Sequence, residues 1–105
     1  MLPFPSSIIV KSVTLSDDAV HHLSTEDVPF YACDFQCQTK ALKIGTGGNI
    51  NFILYPNETY WTYNANLRDF VFMNETAGQD TTIVIIATVP NKYVDTALST
   101  GFRRF

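Results

Sequence analysis

Few residues in this chain have types and spacings that could do chemistry. His21 and His22 are adjacent. On a strand they point to opposite sides, so they cannot both ligate one metal ion, and there is no third histidine to complete a cupin-like set. Cys33 beside a histidine could form a nucleophile pair. It falls, however, in an alternating apolar stretch, where a thiol is desolvated and inert. Asp17, Asp18, Glu26 and Asp27 could hold a calcium ion weakly, but they read as solvated turn residues. Gly45-Thr46-Gly47-Gly48 lacks the lysine and the following helix of a phosphate cradle. No Gly-x-Ser-x-Gly, P-loop or dinucleotide fingerprint occurs. The expectation is a protein that is not an enzyme and has no cofactor or metal.

Tyr55, Tyr60, Trp61 and Tyr63 cluster around one turn and are the candidate ligand-facing aromatics. Exposed rings of this kind suit a sugar or a protein partner. Trp61 and Tyr63 share one face of a strand and Tyr60 and Thr62 the other, so one pair is expected in the core.

The elements that must position these residues are strands. Turn clusters bound about eight short β-like runs, the spacing of a sandwich or barrel. The runs are 8–15, 19–23, 29–37, 41–44, 50–55, 59–63, 67–73 and 81–89. Asn64-Ala65-Asn66 is read as a break, and Asn57 and Asn74, each opening an Asn-Glu-Thr sequon, as turn residues. In 29–37, Tyr31, Cys33, Phe35 and Cys37 form one face and Phe30, Ala32, Asp34 and Gln36 the wetter one. Residues 81–89 are apolar on both faces, as a central strand or one covered by a partner would be. Cys33 and Cys37 would lie roughly 13 Å apart on their strand, too far for a disulfide. They are expected to be buried free thiols, as in a reducing compartment.

The fold predicted is all-β: a single antiparallel β-sandwich, jelly-roll-like or Ig-like, of about eight strands with extended N- and C-terminal arms. The arms are residues 1–7 and 90–105, and the sandwich is 8–89. In the second arm Val94, Ala97 and Leu98 could line one helical turn. Both arms carry residues too apolar for water: Leu2, Phe4, Phe102 and Phe105. With Arg103 and Arg104 these are the candidate interface anchors.

The chain has 105 residues, the size of one domain, with 46% hydrophobic, 13% aromatic and only 16% charged residues. Low charge on a small domain suggests that other chains cover part of its surface. A net charge of −3 and a pI near 5.1 argue against nucleic acid as a partner. No run is long and apolar enough to cross a membrane as a helix, and the opening residues lack the basic region of a signal peptide.

The order of features resembles small structural proteins of tailed bacteriophages. The resemblance rests on Leu23-Ser24-Thr25-Glu26-Asp27-Val28-Pro29, then Lys43-Ile44-Gly45 closing a strand, then Leu54-Tyr55-Pro56-Asn57-Glu58. It continues through Asn66-Leu67-Arg68-Asp69-Phe70-Val71, the Ala77-Gly78 turn and the apolar strand from Ile83 to Val89, and covers residues 12–89. The family usually has glycine where Asn57 stands, and its pattern does not reach the segment from Pro90. The resemblance implies a β-sandwich virion protein, foremost an auxiliary capsid decoration or cement protein that binds between shell subunits. The alternative it leaves is a carbohydrate- or receptor-binding module of a head or tail fibre. It further implies other virion proteins as partners, the major capsid protein first, and a homo-oligomer such as a trimer. Its place would be the capsid surface, after synthesis in the host cytoplasm.

Overall fold

The computed structural model describes residues 5–47 and 49–99. Eight strands run in chain order: β1 (Ser6–Leu15), β2 (His21–His22), β3 (Pro29–Cys37), β4 (Leu42–Thr46), β5 (Asn49–Leu54), β6 (Thr59–Asn66), β7 (Phe70–Asn74) and β8 (Thr81–Pro90). A 3-10 turn, Leu67–Asp69, separates β6 from β7. Another, Asn91–Tyr93, leads into the short helix α1 (Val94–Ser99).

The pairing is that of one long hairpin rolled up. β4 pairs with β5, β3 with β6, β2 with β7 and β1 with β8, all antiparallel. Pairing of β3 with β8 and of β4 with β7 then splits the ribbon into two sheets, ordered β1-β8-β3-β6 and β2-β7-β4-β5. This is the strand order of a jelly roll. An Ig-like sandwich is excluded, because it would keep the first two strands in one sheet.

The core lies between the sheets. Phe35, Cys33, Ile83, Ile85 and Val89 come from the first sheet, and Phe72, Leu42, Ile44 and Leu54 from the second. Rings stitch the layers together: Phe35 lies 5.1 Å from Phe70, and Tyr60, stacked beside Phe35 at 6.3 Å in the same sheet, lies 5.3 Å from Phe52. β8 is central, with inward Ile83, Ile85, Ala87 and Val89 all buried, as its two apolar faces predict.

Several local expectations are corrected. β6 does not stop at Asn64 but runs on to Asn66. Asn64 adopts φ 51, a left-handed conformation that asparagine tolerates, so the strand absorbs a kink instead of ending. Opposite it the β3 ladder skips Tyr31, and the inward phase slips. Phe30 is buried and packs 6.2 Å from Phe70, while Tyr31 is only half-buried. Residues 67–69 form the 3-10 turn rather than strand, with the Asn66 side chain accepting from Arg68 N. Asn74 is no turn residue: it ends β7, is buried, and donates from Nδ2 to the Asp17 carbonyl. Asn57 does sit in a turn, at φ 70 after Pro56, the geometry of a type II turn.

The strands of the sandwich extend past its predicted bounds at both ends. Ser6 and Ser7 already belong to β1, and Pro90 to β8. Residues 91–99 fold onto the body: Ala97 is buried in the core cluster and its carbonyl accepts from Lys11 Nζ at 3.1 Å. The candidate anchors Leu2, Phe4, Phe102, Arg103, Arg104 and Phe105 lie outside the described residues.

Candidate functional site: the outer face of the first sheet

Residues directly opposite in an antiparallel ladder share a face. The outward residues of β1, β8, β3 and β6 can therefore be read across the sheet in rows. One row is Ile8, Thr88, Ala32, Tyr63; the next is Val10, Ile86, Asp34, Trp61; the next is Ser12, Val84, Gln36, Thr59. Asp34 is the single charged residue in these three rows. Ile8 is 69% exposed, Val10 61%, Trp61 64% and Tyr63 65%, with Ile86 at 39%. Ile8 and Val10 stand on edge strand β1, Ile86 on its neighbour β8, and the two aromatic side chains on edge strand β6.

This face exists because β1 and β8 are apolar in both phases. Ile9, Leu15, Ile83, Ile85, Ala87 and Val89 fill the core. The intervening Ile8, Val10, Val84 and Ile86 have nowhere to go but out. Lys11 falls on the inward phase, next to Ile9. Its ammonium escapes burial by reaching Ala97 O at the end of α1, and partial burial lowers its pKa.

The four candidate aromatics do not form one patch. Trp61 and Tyr63 belong to the outer face. Tyr60 turns inward, packing 5.3 Å from Phe52 and against Phe35. Tyr55 stands exposed at the β5–β6 turn, where its N–H donates to Glu58 Oε1 at 2.7 Å. Sequence reasoning found Trp61 and Tyr63 but missed Ile8, Val10, Ile86 and Asp34. The signal was present in β1, whose Ile8-Ile9-Val10 run is apolar in both phases.

The residues tested for chemistry are absorbed by structure. His21 is buried and its Nε2 lies 2.9 Å from Asp17 Oδ1, while His22 faces away and is exposed. Asp18 Oδ1 accepts from Gly78 N at 3.0 Å, and Asp27 pairs with Arg68 in solvent. Ser24 Oγ closes its own loop by donating to the Glu26 carbonyl. Among the described residues no group of three or more His, Cys, Asp or Glu converges to hold a metal ion. Cys33 and Cys37 are free and buried. Burial, with Asp34 adjacent, pushes the Cys33 thiol far up. Burial and then Glu58 push the Cys37 thiol up to about 11.

Two concavities accompany the face. One, of about 410 Å³, opens between the β4–β5 hairpin and Tyr60 and Phe70. The other, of about 510 Å³, is lined chiefly by Pro5, Pro29, Tyr31, Pro90 and Tyr93 at the end of the sheet where β1 enters and β8 leaves.

No family model matches this chain, and no curated protein does. Among solved structures it is similar to unsaturated fatty acid-bound wild-type ToxT from Vibrio cholerae strain SCE256, with a TM-score of 0.57 and 13% identity. The match covers 90% of this chain and 34% of that one, so this chain spans about a third of that protein's length. At that identity the likeness is one of fold alone.

Proposed function

We propose that this chain is a non-enzymatic assembly subunit, a jelly-roll virion protein that caps or cements a phage shell by binding energy alone. The observation that supports this best is the outer face of the first sheet, where Ile8, Val10, Ile86, Trp61 and Tyr63 are exposed among small polar residues and one carboxylate. The largest apolar patch on a typical monomer covers about 300–600 Å² and is often functional. Five large exposed side chains, at roughly 100 Å² each, bring this one to on the order of 500 Å². A catalytic role has no comparable support, since His21, Asp17, Asp18 and Asp27 are held in structural contacts and both thiols are buried. The test is attachment to empty shells, followed by co-sedimentation. The wild-type chain should bind, and Ile8→Asp, a charge placed in the patch with no change to the core, should lose most of that binding. Undiminished binding by Ile8→Asp would rule out this face as a contact on which assembly depends, whether to the shell or between copies.

One observation favours a second reading, a carbohydrate-binding module of a head or tail fibre. Trp61 and Tyr63 are exposed two residues apart on one strand, with Asp34 directly across from Trp61. Stacking rings beside a hydrogen-bond acceptor suit a pyranose. Glycan-dependent quenching of Trp61 fluorescence, abolished by Asp34→Ala, would select this reading over the first.

A further inference from the structure

Resting on the assembly reading, we infer that the occupant of the outer face is a second copy of this chain, packed face to face about a twofold axis parallel to the strands. Two features of the face argue for it. The first is area. The several hundred Å² of apolar surface, with the Thr, Ser, Gln and Ala side chains around it, comes within reach of the roughly 800 Å² per partner buried in standard pairs. The second is charge. The chain carries a net −3, yet Asp34 is the one charged group in the three rows. A partner that recognised this chain by opposite charge would find almost nothing here to pair with.

Asp34 also selects the axis. Strands lie about 4.8 Å apart, so β1 and β6, at the two edges, are separated by about 14 Å. A twofold perpendicular to the strands and centred on the Val10–Ile86–Asp34–Trp61 row would lay each strand over its own copy. Asp34 would then face Asp34 across a dehydrated gap, and like charges there repel strongly. A twofold parallel to the strands lays β1 over the partner's β6 and β8 over the partner's β3. Val10 then meets Trp61, Ile8 meets Tyr63, and each Asp34 lies over Ile86 rather than over its equivalent. The aliphatic edge of one copy covers the aromatic edge of the other, twice, as an isologous interface requires. Two sheets packed this way sit about 10 Å apart with strands nearly aligned.

The experiment is sedimentation of the full chain over a concentration series, with three sets of variants that leave the core untouched. Circular dichroism confirms that each is folded. Wild type should form a dimer. Val10→Asp should weaken the dimer at least tenfold, and Asp34→Asn should tighten it several-fold. A Val10→Cys chain mixed with a Trp61→Cys chain should be joined by a short bis-maleimide, while neither chain alone joins to itself; Cys33 and Cys37 are buried and should stay unmodified. A monomer at every concentration, a trimer, a dimer indifferent to Val10→Asp, or self-joining of the Val10→Cys chain would each overturn the inference. A monomer that still attaches to shells, and loses attachment with Val10→Asp, would overturn the second copy while upholding the assembly reading.

Discussion

Gly45→Ala probes how tightly the β4–β5 hairpin is closed. Between the Ile44–Phe52 and Thr46–Asn49 pairs, Gly45 alone on β4 stands opposite Ile50 and Asn51 on β5, so the bulge is on β5 and closes against Gly45. A methyl group on Gly45 would stand 1.9 Å from the Asn49 carbonyl oxygen and 2.9 Å from its carbon. The obstruction is backbone, so no side chain can swing aside, and the oxygen must retreat by more than an ångström. Overpacking of this kind costs about 1–3 kcal/mol, and disturbing the two pairings that flank the bulge adds about 1 kcal/mol each. The expected loss is about 3–5 kcal/mol, a large share of the 5–15 kcal/mol typical of a domain. Gly47 is the internal control. It lies in the same turn with φ +60 and nothing within 4 Å of its added methyl. Gly47→Ala therefore meets only the left-handed backbone penalty, about 1–2 kcal/mol. Urea unfolding followed by circular dichroism reads both. If Gly45→Ala lowers the midpoint no more than Gly47→Ala, close backbone approach is not what requires glycine at position 45.

Asn66→Ala should cost about 1–2 kcal/mol, because the Asn66 Oδ1 accepts from both Val28 N and Arg68 N; thermal melting should show a fall of about 5–10 °C, and Asn66→Asp, which keeps the acceptor, should fall less. Both thiols should resist a disulfide reagent at pH 8 in the folded protein and react at once in denaturant. Because the Cys37 thiol holds its proton more tightly folded than unfolded, its contribution to stability is complete below pH 9 and is lost as the pH rises towards about 11; Cys37→Ala should flatten that alkaline decline in urea midpoints. Trp61 is the sole tryptophan and is exposed, so dilute protein should show red-shifted emission open to acrylamide; blue-shifted, protected emission in the dilute monomer would contradict its placement on the outer face.

The strands that were most legible are those where propensity, alternation and turn chemistry agree. Pro29–Cys37 has its predicted bounds, and β8 runs one residue past its own. Pro56-Asn57 gave the β5–β6 turn for the same reason, since a positive φ two residues into a turn favours glycine or asparagine. Legibility failed where a local rule had two solutions. Asparagine can end a strand or kink it, and Asn64 kinks while Asn74 is paired and buried. Lys11 lies on the inward phase, where a helix some eighty residues later offers a carbonyl to its ammonium, a contact that no local pattern shows.

The sequence by itself determined that the protein is an antiparallel sandwich of about eight strands with buried thiols. Those properties follow from period-two patterning, turn residues and chain length, all local quantities. The tertiary structure alone decided that the sandwich is a jelly roll, because sheet order depends on which distant ladders close, β3 with β8 and β4 with β7. It alone also decided the outer face. Ile8, Val10, Ile86, Asp34, Trp61 and Tyr63 come from four strands spread over most of the chain. Which of two apolar phases faces solvent is fixed only when the second sheet covers the other.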